Sequence, residues 1–155
     1  MKILAVDLGL ARTGLAICDE NEILASPAGV ISERSRERLA QAIAARVKEE
    51  NVKCIVVGLP RNMDGSEGES AKNARAFAEL LKTQVSVPVE MRDERGTTIT
   101  AHSFLNDTDT RGKKRKAVVD AVAATIILQD YLNFRKNQKR GKVLSAKPFI
   151  QKRGN

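Results

Sequence analysis

The chain has 155 residues, 42% of them hydrophobic, which suits one domain with a real core and excludes a chain disordered overall. No apolar run is long enough to span a membrane, and Asp7 interrupts the first such run, which argues against a signal peptide. The net charge of +8 is uneven, with 13 Lys and Arg against 2 acids from Arg111 to Asn155, but 14 against 17 in residues 1–110. A near-neutral body with a basic end points to a polyanionic partner, the bland alternative being a solvated tail.

Lys2 to Val6 is a short, continuous apolar strand that delivers Asp7 into a turn. Gly14 to Cys18 reads as a second strand, Asp19 to Glu22 as a polar turn and Ile23 to Ala25 as a third strand, together an antiparallel meander. Ser32 to Ser35 has helix N-cap character, and the helix that follows sets Leu39, Ile43 and Val47 at four-residue spacing. Cys54 to Val57 is a fourth strand, apolar on both faces and therefore central. Its two-sided apolar character also marks Cys54, like Cys18, as a reduced core thiol of a cytoplasmic protein.

The loop from Gly58 to Gly68 follows, with Ser66 and Glu69 as a capping box for a helix whose apolar side is Ala71, Ala74, Phe77, Ala78 and Leu81. Val87 to Met91 is a fifth strand, which Pro88 assigns to an edge, and it delivers Arg92-Asp93-Glu94-Arg95. A helix is predicted over Thr97 to Leu105, a loop over Asn106 to Gly112 and a long helix over Lys113 to Phe134 with Val119, Val122, Ala123, Ile126 and Ile127 facing in. Residues 1–138 form the domain and 139–155 a basic, mobile tail. The fold class is α/β, a mixed five-stranded sheet flanked by helices. A crossover puts strand four beside strand one and gathers the C-terminal ends of strands one, four and five at one edge, where open α/β sheets bind ligands.

Three acidic sites can converge at that edge: Asp7, the pair Asp93 and Glu94, and Asp120 on the last helix. Carboxylates around one pocket are hard oxygen ligands suited to Mg²⁺ or Mn²⁺, which activate water and stabilise the leaving oxygen in phosphodiester cleavage. Salt bridging is the bland alternative, since Lys116 lies four residues before Asp120 and Arg95 follows Glu94. The glycine-containing loop offers Arg61, Asn62 and Ser66 to a phosphate, although it lacks the Gly-Lys-Ser/Thr of a nucleotide P-loop. Lys113, Lys114, Arg115 and Lys116 open a helix against its dipole, which phosphates would relieve. Aromatic residues are only 3%, so backbone electrostatics rather than base stacking dominates binding. His102 receives no role, and no serine or cysteine has partners for nucleophilic catalysis.

Taken together, these stretches resemble the YqgF family, also called RuvX. The likeness rests on Asp7-Leu8-Gly9 with Arg12 to Ala16, on Val56 to Pro60 with Met63 to Gly68, on Asp93-Glu94-Arg95 with Thr97-Thr98, and on Lys113 to Lys116 with Val119-Asp120, Ala123-Ala124, Ile127 to Gln129 and Tyr131-Leu132. The resemblance implies a ribonuclease H-like fold. Family members are described as Holliday-junction resolvases and as nucleases that process the 5′ end of the small-subunit ribosomal RNA precursor. It implies metal-ligand roles for Asp7, for Glu94 with Asp93, and for Asp120, and nucleic-acid contacts for the glycine-rich loop and for Lys113 to Lys116. Arg12 and Arg95, inside the matching motifs, join the nucleic-acid candidates. The loop from Asn106 to Gly112 is short for the family, and the basic tail is longer than the motifs require.

The expected activity is metal-dependent cleavage of pre-16S ribosomal RNA by a monomer or homodimer, with the RNA and a ribosomal particle as expected partners and no membrane. A resolvase of branched DNA is the alternative within the same chemistry, and it would favour a symmetric dimer. Two other classes are a phosphotransferase of the sugar-kinase and actin type, which needs two such domains, and a non-catalytic RNA-binding module.

Overall fold

The computed structural model describes residues 1–62, 64–93 and 121–139. Strands β1 (Ile3–Asp7), β2 (Arg12–Cys18) and β3 (Ala25–Ser32) are followed by helix α1 (Arg36–Glu49), strand β4 (Cys54–Leu59), helix α2 (Glu69–Lys82) and strand β5 (Val89–Asp93). Residues 121–139 are helical and are termed α3. The sheet order is β3-β2-β1-β4-β5. β1 pairs antiparallel with β2 and parallel with β4, and β5 pairs parallel with β4. The predicted crossover is therefore present, and it makes β1 the middle strand.

Alternate residues of each strand serve two cores. Leu4, Val6, Leu15, Ile55 and Val57 meet Leu39, Ile43 and Val47 of α1 and Ala71, Ala74, Phe77, Ala78 and Leu81 of α2. Ile3, Ala5, Ala16, Cys18, Cys54 and Val56 meet Ala124, Ile127, Leu128, Tyr131 and Leu132 of α3. Both apolar stripes expected of α1 and α2 are buried, and each large side chain there contributes about 1.5–3 kcal/mol by leaving water. Ala123 and Ile127 are buried as expected, whereas Val122 and Ile126 are half-buried. Both cysteines are free and buried.

Several boundaries differ from the sequence expectation. The third strand is Ala25–Ser32, not Ile23 to Ala25. The Asp19 carboxylate accepts the N–H groups of Asn21, Ile23 and Leu24, and that turn leaves Ile23 and Leu24 exposed. β3 accommodates Pro27 and Gly29 (φ 97°) because it is an edge strand with a register shift opposite Leu15 and Ala16. That shift leaves Ala28 without a pair in the ladder, and Arg46 donates to its carbonyl at 3.0 Å.

α2 has Gly68 as its N-cap and no side-chain cap, so the Ser66–Glu69 capping box does not form. The Ser66 hydroxyl is instead bound to Asp64, at 2.6 Å. β5 begins at Val89, past Pro88, which has no N–H to give a ladder. Even so, the Pro88 carbonyl accepts from Ile55 at 2.9 Å, and β5 holds the expected edge position. α3 runs past Phe134 to residue 139. The helix expected over 97–105, the loop over 106–112, Val119 and the tail from 140 onward lie outside the described residues.

Candidate active site

The parallel strands bring the C-terminal ends of β1, β4 and β5 to one edge. Asp7 ends the middle strand there and is half-buried. It pairs with Gly14 of β2. The β1–β4 register, carried one step beyond Val6 and Val57, puts Gly58 on its other side. Ile3 and Ala5 face α3, so alternation turns Asp7 the same way, and Gly14 and Gly58 share that face with Ala16 and Val56. The central carboxylate thus has no side chain beside it on either flanking strand.

β5 divides its polar residues between the two faces. Arg92 faces α3, where its Nε donates to Asp130 at 2.7 Å and its guanidinium lies 4.5 Å from the centre of the Phe134 ring. Glu90 faces the same way, beside Cys54 at 3.6 Å. Burial first, and Glu90 second, push the Cys54 thiol up to about 11. Val89 and Met91 pack on the α1–α2 side, so Asp93 belongs to that side too, with Arg61 3.9 Å away. Asp93 therefore does not share the face of Asp7.

The glycine-containing loop is closed on itself. Asn62 donates to the Ser66 hydroxyl at 2.8 Å, and its N–H donates to the Ser66 carbonyl at 2.9 Å. Arg61 lies 3.2 Å from Glu67, and Arg75 grips the same carboxylate through two nitrogens at 2.8 and 2.7 Å. The hydrogen bond from Arg75 is the main reason the Glu67 carboxyl falls to about 2.

The turn after Asp7 is clamped from three sides. The Gly9 N–H reaches the buried Thr13 hydroxyl at 3.5 Å, Glu33 N–H donates to the Ala11 carbonyl at 3.0 Å, and Arg36 donates to the Gly9 carbonyl at 2.8 Å. A Cβ at Gly9 would collide with the Arg12 carbonyl oxygen, so the turn needs glycine. Arg12 opens β2 two residues from Gly14 and on the same face. The sequence reading named Gly14 within a motif but missed the clamp by Arg36, which no local spacing signals.

α3 is fixed in direction by its far end. Arg135 Nε donates to Glu22 at 2.7 Å, and the N-terminal amine reaches the same carboxylate at 3.1 Å. From Arg135 back to residue 121 the helix spans about 21 Å. α1 and α2 start at the edge that carries Asp7, following β3 and β4, so their positive dipole ends lie there.

Glu94, Arg95, Lys113, Lys114, Arg115, Lys116 and Asp120 lie outside the described residues. Among the described residues no group of three or more His, Cys, Asp or Glu could hold a metal, and no helix is long and apolar enough to cross a membrane.

A family model described as "RuvX: Holliday junction resolvase" matches residues 1–134. A protein of Anaeromyxobacter sp. (strain Fw109-5) named "Putative pre-16S rRNA nuclease" is 47% identical over 135 residues, covering 87% of this chain and 98% of its own. A protein of Halothermothrix orenii with the same name is 40% identical over 134 residues, covering 86% and 96%. Among solved structures, T. thermophilus RuvC in complex with a Holliday junction substrate matches with a TM-score of 0.56 at 13% identity, covering 88% of this chain and 96% of that one. The fowlpox virus Holliday junction resolvase matches with a TM-score of 0.53 at 15% identity, covering 86% and 99%. At such identities the likeness is one of fold, and that fold is the ribonuclease H-like mixed sheet flanked by helices.

Proposed function

The chain belongs to the RuvX family, and from that premise we propose that it is a metal-dependent endonuclease that cuts pre-16S ribosomal RNA. The observation that carries the reading is the place of Asp7: the end of the middle strand, at the sheet's ligand edge, between two glycines.

We assign Asp7, Glu94 and Asp120 to hold Mg²⁺ or Mn²⁺. The fit is chemical and spatial. Carboxylates are the hard donors these ions take, and Gly14 and Gly58 bring no side chain into the space beside Asp7. Bound there, the metal supplies an activated water and stabilises the leaving oxygen. Asp93 shares its side of β5 with Arg61, away from the face of Asp7, which favours its neighbour Glu94 as the ligand. Asp120 immediately precedes the described start of α3, the helix packed on the face of the sheet to which Asp7 turns.

The chain's own residues do the positioning. Asp7 is held by a central strand and a clamped turn, so its carboxylate needs little reorganisation to act. Arg12, on the same face, with Arg95 and the Lys113–Lys116 run, would fix the backbone of the strand being cut. Two helix starts at the edge favour the phosphate charge. The side chains of Arg61, Asn62 and Ser66 are engaged within the protein, so the loop's role is to shape the groove and offer backbone N–H groups.

RNA is preferred to branched DNA on one ground. The relatives at 40% and 47% identity, matched over 96% and 98% of their length, carry the ribosomal RNA name, whereas the resolvase structures share only the fold. Side-by-side digestion of a pre-16S RNA fragment and a four-way DNA junction tests the choice. Cutting of the RNA supports the reading, and cutting of the junction alone moves the assignment to a resolvase. Binding of the RNA without cutting in Mg²⁺ or Mn²⁺ would make the chain a binding module.

A further inference from the structure

We infer that Arg34 and Arg38, at the start of α1, form a phosphate-binding surface that holds the RNA strand as it leaves the catalytic edge. The inference rests on the nuclease reading and adds a part of the protein that the motifs do not include.

Position comes first. β3 runs parallel to β1, so the β3–α1 junction lies at the edge that carries Asp7. Arg36 of the same segment donates to the Gly9 carbonyl at 2.8 Å, and Gly9 is two residues past Asp7. The segment is thus anchored directly to the catalytic turn, with Arg34 and Arg38 exposed on either side of the anchor.

Charge comes second. Most arginines of the described residues are committed within the protein: Arg61 and Arg75 to Glu67, Arg92 to Asp130, Arg135 to Glu22 and Arg46 to the Ala28 carbonyl. Among the described residues, the guanidinium groups of Arg34 and Arg38 have no such partner. Glu33 spends its carboxylate on the Ser35 N–H at 3.1 Å. Glu37 is exposed, and as an immediate neighbour of Arg38 on the helix it points elsewhere.

The helix supplies a third argument. Ser35 is the N-cap and accepts from the Arg38 N–H at 3.3 Å, so Arg38 lies in the first turn of α1. A cation there opposes the dipole, and like charges crowd around it. A phosphate would relieve both, and the exposed fork of an arginine suits a phosphate's oxygens. The glycine-containing loop, by contrast, has its one arginine, Arg61, already neutralised by Glu67 and Asp93.

The test is the salt dependence of binding to a pre-16S RNA fragment, measured by fluorescence anisotropy in chelator so that no cutting intervenes. Three full-length chains are compared: the native one, the double variant Arg34→Gln/Arg38→Gln, and the double variant Lys48→Gln/Lys53→Gln. The last removes the same charge near the far end of α1. Arg34, Arg38, Lys48 and Lys53 are exposed, and thermal melting checks that each variant is folded. Loss of two phosphate contacts to a single strand should flatten the slope of log Kobs against log salt by about 1.4. The lysine variant should keep the native slope.

Equal slopes in the two double variants would overturn this surface while leaving the nuclease reading in place. Failure of the native chain to bind the RNA at low salt would overturn both. A four-way DNA junction run in parallel shows whether the same arginines serve a DNA backbone. A slope change seen only on the junction would overturn the assignment to RNA.

Discussion

Asp7 stands directly across the ladder from Gly14, so the antiparallel strand brings no side chain beside the carboxylate in the middle of the active edge. Gly58 takes the equivalent place on the neighbouring parallel strand. A Gly58→Val substitution would place a branched side chain beside Asp7, on the face turned toward α3. We expect turnover to fall about 100-fold, as for a misplaced reacting group. The overpacking cost to the fold should stay near 1–3 kcal/mol. Cleavage rate and urea denaturation, measured on one preparation, separate the two effects.

Gly9→Ala tests the turn itself. The added methyl has nowhere to go but against the Arg12 carbonyl, so the hairpin must open or shift. About 1–3 kcal/mol of stability should be lost, together with most of the cleavage activity. Native stability and native turnover in this variant would show that the turn does not position Asp7.

Glu22 ties the chain's start to α3. The hydrogen bond from Arg135, and after it the N-terminal amine, holds the Glu22 carboxyl below its usual value of 4.5. A depressed carboxylate stabilises the fold above its unfolded pKa and loses that contribution as pH falls through its folded one. Glu22→Gln should therefore cost about 1 kcal/mol at neutral pH. Its unfolding free energy should converge with that of the native chain as the solution is acidified below about pH 4. A gap that persists or widens in acid would contradict the ion-pair account.

The two thiols should be silent in the native state. Burial raises the Cys18 thiol, and burial with Glu90 takes Cys54 to about 11, so neither is ionised near neutrality. A colourimetric thiol reagent at pH 8 should label neither until denaturant is added. Rapid labelling of either in the folded protein would contradict the packing of that strand.

The sheet centre was legible because β1 and β4 are continuous apolar runs, which only a strand covered on both faces requires. The edge was not. β3 carries Pro27 and Gly29, which read as breakers, and Ile23 and Leu24 drew the strand forward into what is an Asp19 turn. Ser66 looked like a cap because spacing cannot reveal that its hydroxyl binds Asp64. The side of the sheet that Asp93 takes was equally hidden. It is set by Val89 and Met91 of β5 packing toward α1 and α2. Ser32 to Ser35 read only as a helix start, and nothing in the spacing showed that the fold anchors this segment to Gly9 through Arg36.

The most direct measurement compares the native chain with Asp7→Asn on a pre-16S RNA fragment in Mg²⁺, Mn²⁺ and chelator, scoring binding and cleavage separately. The account predicts metal-dependent cutting by the native chain, none by Asp7→Asn, and comparable RNA binding by both. Cleavage by Asp7→Asn at the native rate, or native cutting that persists in chelator, would contradict it.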